Sequence, residues 1–316
     1  MSWSGCATPS AGPTRVHSGT PTPDQSSKAD FDEESDLEKE RRILGTYAVT
    51  GAASGMGAAS AAVLSEAGHT VIGVDLRDTE IIADLGTPQG RAAAVEGILE
   101  ASEWALDGVA AVAGVGPDMK DPAAVMSIDY FGPVALLEGL RPALARSASG
   151  RAVAVGSNSA TTVPFIDQTL VDLALAGEEE AARGRAVQGQ EEVPDKVRAF
   201  APSIGAYATS KFALARWVRR TAITPRWGRE GVLLNAIAPG AVLTPLMLGS
   251  TGTAPDPDSF NTPMPLGEFG RPEEIAFWVH QFLRPEARFT TGSVLYVDGG
   301  TDAALRPEDF PTAMTP

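Results

Sequence analysis

The sequence predicts an α/β fold: a doubly wound parallel sheet of about seven strands, helices on both faces, and a helical insertion late in the chain. Two observations carry this. From Leu44 onward, short apolar runs alternate with longer helical segments. The first such run passes directly into a glycine-rich turn that opens a helix.

Taken in order, Tyr47 to Thr50 reads as the first strand and Gly55 to Ala67 as the first helix. Thr70 to Asp75 is the second strand, and Ala83-Asp84-Leu85 sits where a third would end. Ala92 to Trp104 is expected to be helical, Gly108 to Ala113 a buried strand, and Ala123 to Arg146 one long helix with possible kinks at Pro133 and Pro142. A strand at Arg151 to Gly156 follows. The closing part reads as a helix from Ala206 to Trp227, a strand from Val232 to Ala238, a helix from Pro272 to Leu283 and a strand from Ser293 to Val297. Residues 43–316 are expected to form one domain. Pro164 to Pro202 breaks the rhythm. It holds a polar helix-like stretch, Leu170 to Arg185, and is too long for an ordinary connection. Its place between two chemically interesting segments suggests a lid or a substrate wall. Residues 1–42, rich in Ser, Thr, Pro, Gly, Asp and Glu, are expected to be a disordered tail.

Composition narrows the function. With 43% hydrophobic residues in 316, a large core is available. One cysteine, Cys6, forbids an intrachain disulfide, and the three scattered histidines, His17, His69 and His280, leave no Cys/His metal cluster. A net charge of −15 argues against nucleic acid or an anionic membrane as partner. No apolar run reaches spanning length and no secretory signal is recognised, so a cytoplasmic protein is expected.

The turn Thr50-Gly51-Ala52-Ala53-Ser54-Gly55-Met56-Gly57 joins a strand to a helix N-terminus. Glycines there let backbone N–H groups approach a phosphate, and the helix end favours negative charge. No lysine follows, as a nucleoside-triphosphate loop would require. Asp75 ends the next strand, about 20 residues on, where a carboxylate can bind both ribose hydroxyls of an adenosine and repel a 2′-phosphate. NAD is therefore the expected cofactor, although Arg77 could soften the repulsion. Asp84 is placed to meet the adenine amino group.

Tyr207 and Lys211 lie four apart and share a helix face. With four tyrosines and five lysines in 316 residues, roughly 0.06 such pairs are expected by chance. An ammonium and a cationic nicotinamide would pull a phenol from its usual pKa of about 10 toward neutrality. Ser157 ends a strand, where its hydroxyl can hold a substrate oxygen. A surface ion-and-ring pair with a strand-end serine is the plainer alternative for each residue taken singly.

These motifs together resemble the short-chain dehydrogenase/reductase family over Leu44 to about Ala304. The turn at Thr50 to Gly57, the serine ending Val153-Ala154-Val155-Gly156-Ser157, and Tyr207-Ala208-Thr209-Ser210-Lys211 match. So do Asn235 to Pro245 and Val297-Asp298-Gly299-Gly300. The stretches Val74 to Asp78, Ile82 to Leu85, Ala113-Gly114-Val115-Gly116-Pro117 and Asp129-Tyr130-Phe131-Gly132 resemble the bacterial 3α-hydroxysteroid dehydrogenase/carbonyl reductase subgroup, whose layout aromatic-alcohol dehydrogenases share. The resemblance implies a Rossmann-type fold and an NAD-dependent alcohol/ketone oxidoreductase. Catalysis falls to Ser157, Tyr207 and Lys211. The cofactor is held by Gly51, Ser54, Gly55, Met56, Gly57, Asp75, Asp84, Leu85, Ala113, Gly114, Tyr207, Lys211, Pro239, Gly240, Val242 and Thr244, with no metal. A hydrophobic secondary alcohol is the expected substrate, given the apolar flanks Val163, Phe165, Leu246, Met247 and Leu248.

Three departures stand out. Ala111-Val112-Ala113-Gly114 lacks the family's Asn, Asp129 replaces the family's helix Asn, and 50 positions separate Ser157 from Tyr207. The acidic insertion, with Glu178-Glu179-Glu180 and Glu191-Glu192, should obstruct pairing of the Tyr207 helices between copies. A homodimer through the last strand and the Pro272 to Leu283 helix is expected instead. A dinucleotide-sensing binding protein would have lost Tyr207 or Lys211. An enoyl reductase would space them differently.

Overall fold

A computed structural model describes residues 44–249 and 252–309. The expected tail, residues 1–42, lies outside the described residues. Seven parallel strands form one sheet in the order β3-β2-β1-β4-β5-β6-β7. They are β1 (Thr46–Thr50), β2 (Thr70–Asp75), β3 (Ile81–Ile82), β4 (Gly108–Ala111), β5 (Arg151–Val155), β6 (Leu233–Pro239) and β7 (Val294–Val297). Alternate side chains feed the two faces, as the period of a strand requires. Ala48, Val109, Ala152 and Ala154 join one apolar cluster, and Val49, Ala110, Val153 and Val155 the other. Helices α1 (Gly55–Glu66) and α8 (Pro272–Leu283) cover the second face. Helices α2 (Pro88–Ala101), α3 (Pro122–Met126), α4 (Gly132–Leu144) and α7 (Ile204–Thr221) cover the first. The run Pro122–Leu144 is long and apolar enough to cross a membrane, but here it is a largely buried core segment.

Helix ends differ from the expected ones for local reasons. α2 begins at Pro88, not Ala92, because the Thr87 side chain caps it by accepting from Gly90 N at 3.0 Å and Pro88 fits the first turn. It stops at Ala101, and Glu103 and Trp104 take left-handed backbone angles (φ 50° and 60°). The expected single helix from Ala123 to Arg146 is two, α3 and α4, joined by a π-helical turn at Ser127–Phe131. Pro133 has no N–H to offer the Asp129 carbonyl, so the helical ladder shifts there. α7 ends at Thr221 rather than Trp227, and Pro225 opens a separate turn, Pro225–Arg229. β4 stops at Ala111, and the third strand is only Ile81–Ile82, short of Leu85.

The insertion is also two helices, α5 (Gln168–Ala176) and α6 (Glu179–Gly189), not one stretch from Leu170 to Arg185. Gly177, at φ 79°, ends α5 in the left-handed conformation that glycine adopts without steric cost. Leu170, Val171, Ala174, Ala182 and Ala186 are buried in the main core, against α3 and α7. The bodies of these helices are therefore part of the packed fold, in contact with α7, the helix that carries Tyr207. A polar clamp fixes α6. Glu179 accepts from Arg91 Nη1 and Nη2 at 2.7 and 2.5 Å and from the Ser127 hydroxyl at 3.0 Å. Arg183 donates to Ser127 Oγ at 2.5 Å. Burial works against the Glu179 carboxylate, but the Arg91 guanidinium outweighs it and holds the pKa below the usual range.

Glu179→Gln is expected to lower the unfolding free energy by about 1–3 kcal/mol, because it leaves the buried Arg91 without its anionic partner. Because the folded-state pKa is depressed, this stabilisation is present above the usual glutamate pKa and is lost as pH falls through the folded value. Urea titrations of both proteins at neutral and acid pH check this. Coincident midpoints at neutral pH would show that the clamp does not hold the insertion.

Candidate active site

The site lies at the carboxyl ends of the strands, where the order reverses between β1 and β4 and the chain leaves a crevice. The Thr50 hydroxyl accepts from both Val112 N and Ala113 N at 3.0 Å, tying the ends of β1 and β4 together. This bond joins the two strand ends without the Asn that is missing from Ala111-Val112-Ala113-Gly114.

From Thr50 the chain turns through Gly51, at φ 70°, and enters α1 at Gly55, at φ 55°. A Cβ on Gly57 would stand 2.1 Å from the Gly51 carbonyl oxygen, so the helix can approach the strand this closely only with glycine. The Ser54 side chain does not cap α1, so it consumes none of the first-turn N–H groups. An open cleft of about 840 Å³ runs over this turn. Gly51, Ser54, Gly55, Met56, Gly57, Asp75, Asp84, Leu85, Ala113, Gly114 and Thr244 line it. Leu76, Gly86, Val115, Ile128 and Leu246 line it too, and sequence motifs did not single out these residues for cofactor binding. Asp75 Oδ2 accepts from Ala53 N at 3.0 Å and Oδ1 from Leu76 N at 2.6 Å, which fixes the carboxylate beside the turn. Arg77 is turned to Asp78, 3.7 Å away, with both side chains about 80% exposed. Asp84 Oδ1 accepts from Gly86 N at 2.9 Å.

Pro239, Gly240 and Val242 do not line this cleft. Pro239 is paired with Val297 at the end of β6. Gly240 packs on Asp298, where a Cβ would meet the Asp298 Cα at 2.7 Å. Val242 pairs with Gly270, and its side chain joins the core against α8. Thr244 does reach the cleft, at the start of a short helix Pro245–Leu248 that its hydroxyl caps by accepting from Met247 N at 3.3 Å.

Tyr207 and Lys211 occupy one face of α7, with the Lys211 ammonium 5.6 Å from the Tyr207 ring centre. Ser157 follows β5 and is buried. Its hydroxyl accepts from Ser159 N at 3.1 Å. Lys211 is buried against Asp129, Nζ to Oδ1 3.4 Å, and Asp129 Oδ1 also accepts from Val115 N at 2.9 Å. Both groups sit directly against Gly114. A Cβ there would be 2.8 Å from Asp129 Oδ1 and 3.3 Å from Lys211 Nζ. The proton-handling group and the glycine-lined cleft therefore meet at one residue.

Desolvation raises the Tyr207 pKa, Lys211 lowers it and Asp129 raises it, and the Ser157 and Ser159 hydroxyls lower it. The net direction is upward. The expected pull toward neutrality is absent in the protein by itself, because burial and the carboxylate outweigh the ammonium. Ser159 was not predicted from the sequence; its distance from Ser157 is that of a helical start, which became visible only once Ser159–Thr162 proved helical. Among the described residues no cluster of three or more His, Cys, Asp or Glu could hold a metal.

The donor set fits a dinucleotide: a glycine turn feeding an uncapped helix N-terminus, and a fixed carboxylate at the next strand end. Comparison with known proteins agrees. A family model described as enoyl-(acyl carrier protein) reductase matches residues 194–302. A 3-alpha-hydroxysteroid dehydrogenase/carbonyl reductase from Comamonas testosteroni is 37% identical over 264 residues, 83% of this chain and 98% of that one. A coniferyl-alcohol dehydrogenase from a Pseudomonas species is 31% identical over 265 residues, 80% of this chain and 94% of the other. The solved structure of a 3-alpha-hydroxysteroid dehydrogenase from a Pseudomonas species, complexed with NADH, superposes with a TM-score of 0.75 at 40% identity. It covers 84% of this chain and 100% of its own. The chain belongs to the short-chain dehydrogenase/reductase family of oxidoreductases.

Proposed function

We propose that this protein is an NAD(H)-dependent oxidoreductase interconverting a hydrophobic secondary alcohol and its ketone, of hydroxysteroid dehydrogenase/carbonyl reductase type. The observation that carries it is that Lys211 sits against Gly114, the residue that also lines the dinucleotide cleft, and lies 5.6 Å from the Tyr207 ring, whose phenol the Ser157 hydroxyl faces. When bound, the nicotinamide supplies or accepts the hydride. Tyr207 gives its phenolic proton to a carbonyl oxygen in reduction and takes one from a hydroxyl in oxidation. Ser157 hydrogen-bonds the same oxygen and so orients it beside the phenol. Lys211 stabilises the phenolate by charge. Leu246 is exposed at the cleft, and Val163, Phe165, Met247 and Leu248 are half-buried, which suits an apolar substrate. The family model's printed description is of an enoyl reductase, but the four-residue spacing of Tyr207 and Lys211 favours carbonyl chemistry.

The printed activities of the relatives leave a second reading, an aromatic alcohol, which the coniferyl-alcohol dehydrogenase favours. Steady-state kinetics over steroid, aromatic and aliphatic alcohols separates the two. The highest kcat/KM on a small aliphatic alcohol would overturn both. Tyr207→Phe is expected to lower turnover by at least about 10²–10⁴-fold while the dinucleotide still binds. Near-normal turnover in that variant would sink the mechanism.

The preference for NAD(H) over NADP(H) rests on Asp75. Its carboxylate is pinned beside the turn, and Arg77 leans away toward Asp78. A 2′-phosphate placed there meets uncompensated negative charge, worth about 10–100-fold in kcat/KM at a few ångströms. Asp75→Ala should relax the preference; equal use of NADPH and NADH by the unaltered protein would show the assignment to be wrong.

A homodimer through β7 and α8 is part of the same proposal. β7 is an edge strand without a fully buried residue, and Phe277 and Trp278 on α8 are 51% and 38% exposed. α5 and α6 meanwhile occupy ground beside α7 where a second α7 could pack. Light scattering should give the mass of a dimer, and Trp278→Glu should give a monomer. A tetramer joined across α7 would contradict this.

A further inference from the structure

Asp129 stands where the family carries an Asn, and its surroundings give the change a consequence. It is wholly buried in the π-helical turn before α4. Oδ1 is engaged by Lys211 and by Val115 N, while Oδ2 has no hydrogen-bond partner among the described residues. Lys211 lies between Asp129, 3.4 Å away, and the Tyr207 ring, 5.6 Å away. The carboxylate is therefore no farther than about 9 Å from the phenol ring; Asp129 and Lys211 are buried and Tyr207 is half-buried.

We infer that Asp129 is a positioning residue that acts through Lys211 to keep the Tyr207 phenol protonated around neutral pH, setting this protein for carbonyl reduction and confining alcohol oxidation to alkaline solution.

The argument is one of charge. With Asp129 and Lys211 both ionised, their charges cancel, and ionising Tyr207 leaves one uncompensated negative charge in a buried site. With a neutral amide at position 129, the Lys211 ammonium is unopposed, and ionising the phenol produces a balanced pair. The carboxylate thus removes much of the help Lys211 gives to phenolate. In reduction, the carbonyl carbon receives a hydride from the reduced dinucleotide. The Tyr207 O–H bond breaks, its proton goes to the carbonyl oxygen, and phenolate remains. That step needs the protonated phenol, which the balanced pair supplies. Oxidation needs the phenolate, which the carboxylate disfavours.

Of the other ionisable groups on the packed helices, Asp172 on α5, Glu180 on α6 and Arg219 and Arg220 on α7 are exposed, and Arg216 stacks over the Phe212 ring. From α6, Glu179 and Arg183 are held by Arg91 and Ser127, and Arg185 is held by Asp167 at 2.5 Å. α3 and β6 contribute no ionisable side chain. The segment after β5 faces the phenol with only the hydroxyls of Ser157 and Ser159. Lys211 and Asp129 are the charges that act on Tyr207. At Asp129 itself burial raises the carboxyl pKa above its ordinary value, while Lys211 and the Val115 N–H favour the carboxylate.

The reduction bias rests on the reading of Tyr207 as the proton-transferring group; the protonation claim does not, and its test needs no substrate. Tyrosinate absorbance is read after pH jumps on the ligand-free protein, and the same titration of Tyr207→Phe is subtracted to isolate one phenol among four tyrosines. The midpoint of Tyr207 should lie above the ordinary phenol value of about 10. In Asp129→Asn it should fall by about one pH unit, and the acid limb of the oxidation profile should move down with it. A midpoint near neutrality in the unaltered protein overturns the inference even if Asp129→Asn does not fold. An unmoved midpoint in a folded Asp129→Asn also overturns it. Full turnover by Tyr207→Phe would sink the catalytic reading and leave the titration result standing, so the two failures are distinguishable.

Discussion

The Thr50 hydroxyl holds the site open. It accepts two backbone N–H groups from the segment after β4, at the place where the strand order reverses. A parallel sheet cannot reverse its order without sending its crossovers to opposite faces, and the crevice between them is the natural ligand site. With β1 and β4 joined there, Gly51 turns back toward α1, and Ala113 stands next to it: a Cβ on Gly51 would be only 3.0 Å from the Ala113 Cα. Such a short approach leaves no room for a side chain at Gly51, so the cleft is walled by backbone at that point of the turn. Asp75, one strand away, then falls beside the turn because β2 is in register with β1, Val74 opposite Thr50.

A second constraint is electrostatic. Two charged groups are buried directly behind the cleft, and a further cluster ties the insertion to the flank. Buried charges cost several kcal/mol each unless paired, so removing either Lys211 or Asp129 would strand the other without a partner. The Arg91–Glu179–Ser127–Arg183 group does the same for α6, and it reaches the π-helical turn that carries Asp129. One short turn therefore bears both the docking point of the insertion, at Ser127, and the acid behind the site, at Asp129. Residues two apart on a helical turn point to different sides, so Ser127 and Asp129 serve two different neighbours.

Much of this was legible in the sequence, because the signals are local. A strand that alternates between two cores, a glycine turn that opens a helix, and a Tyr and Lys one helical turn apart are each set by a few adjacent residues. The strand positions, the face shared by Tyr207 and Lys211, and the position of Asp75 followed from such spacing. Even the missing Asn of Ala111-Val112-Ala113-Gly114 was visible, although the bonds from Val112 N and Ala113 N to the Thr50 hydroxyl were not.

What the tertiary structure alone decided depends on groups far apart in the chain. Helix ends moved where a proline or a capping threonine competed with periodicity, as at Pro88, Pro133 and Pro225. The insertion proved to be core because Leu170, Val171 and Ala174 on α5 find partners on α7, and Ala182 and Ala186 on α6 find them on α3 and α7, which no local pattern specifies. Pro239, Gly240 and Val242 carry the family's motif yet pack on β7 and α8 instead of lining the cleft. The protonation of Tyr207 is the clearest case. Its spacing from Lys211 fixes which charge is near, but desolvation and the carboxylate of Asp129, 78 positions earlier in the chain, decide the direction. Sequence determines chemistry that acts along a turn or a helix; burial and charge balance are properties of the assembled core, and only folding brings their members together.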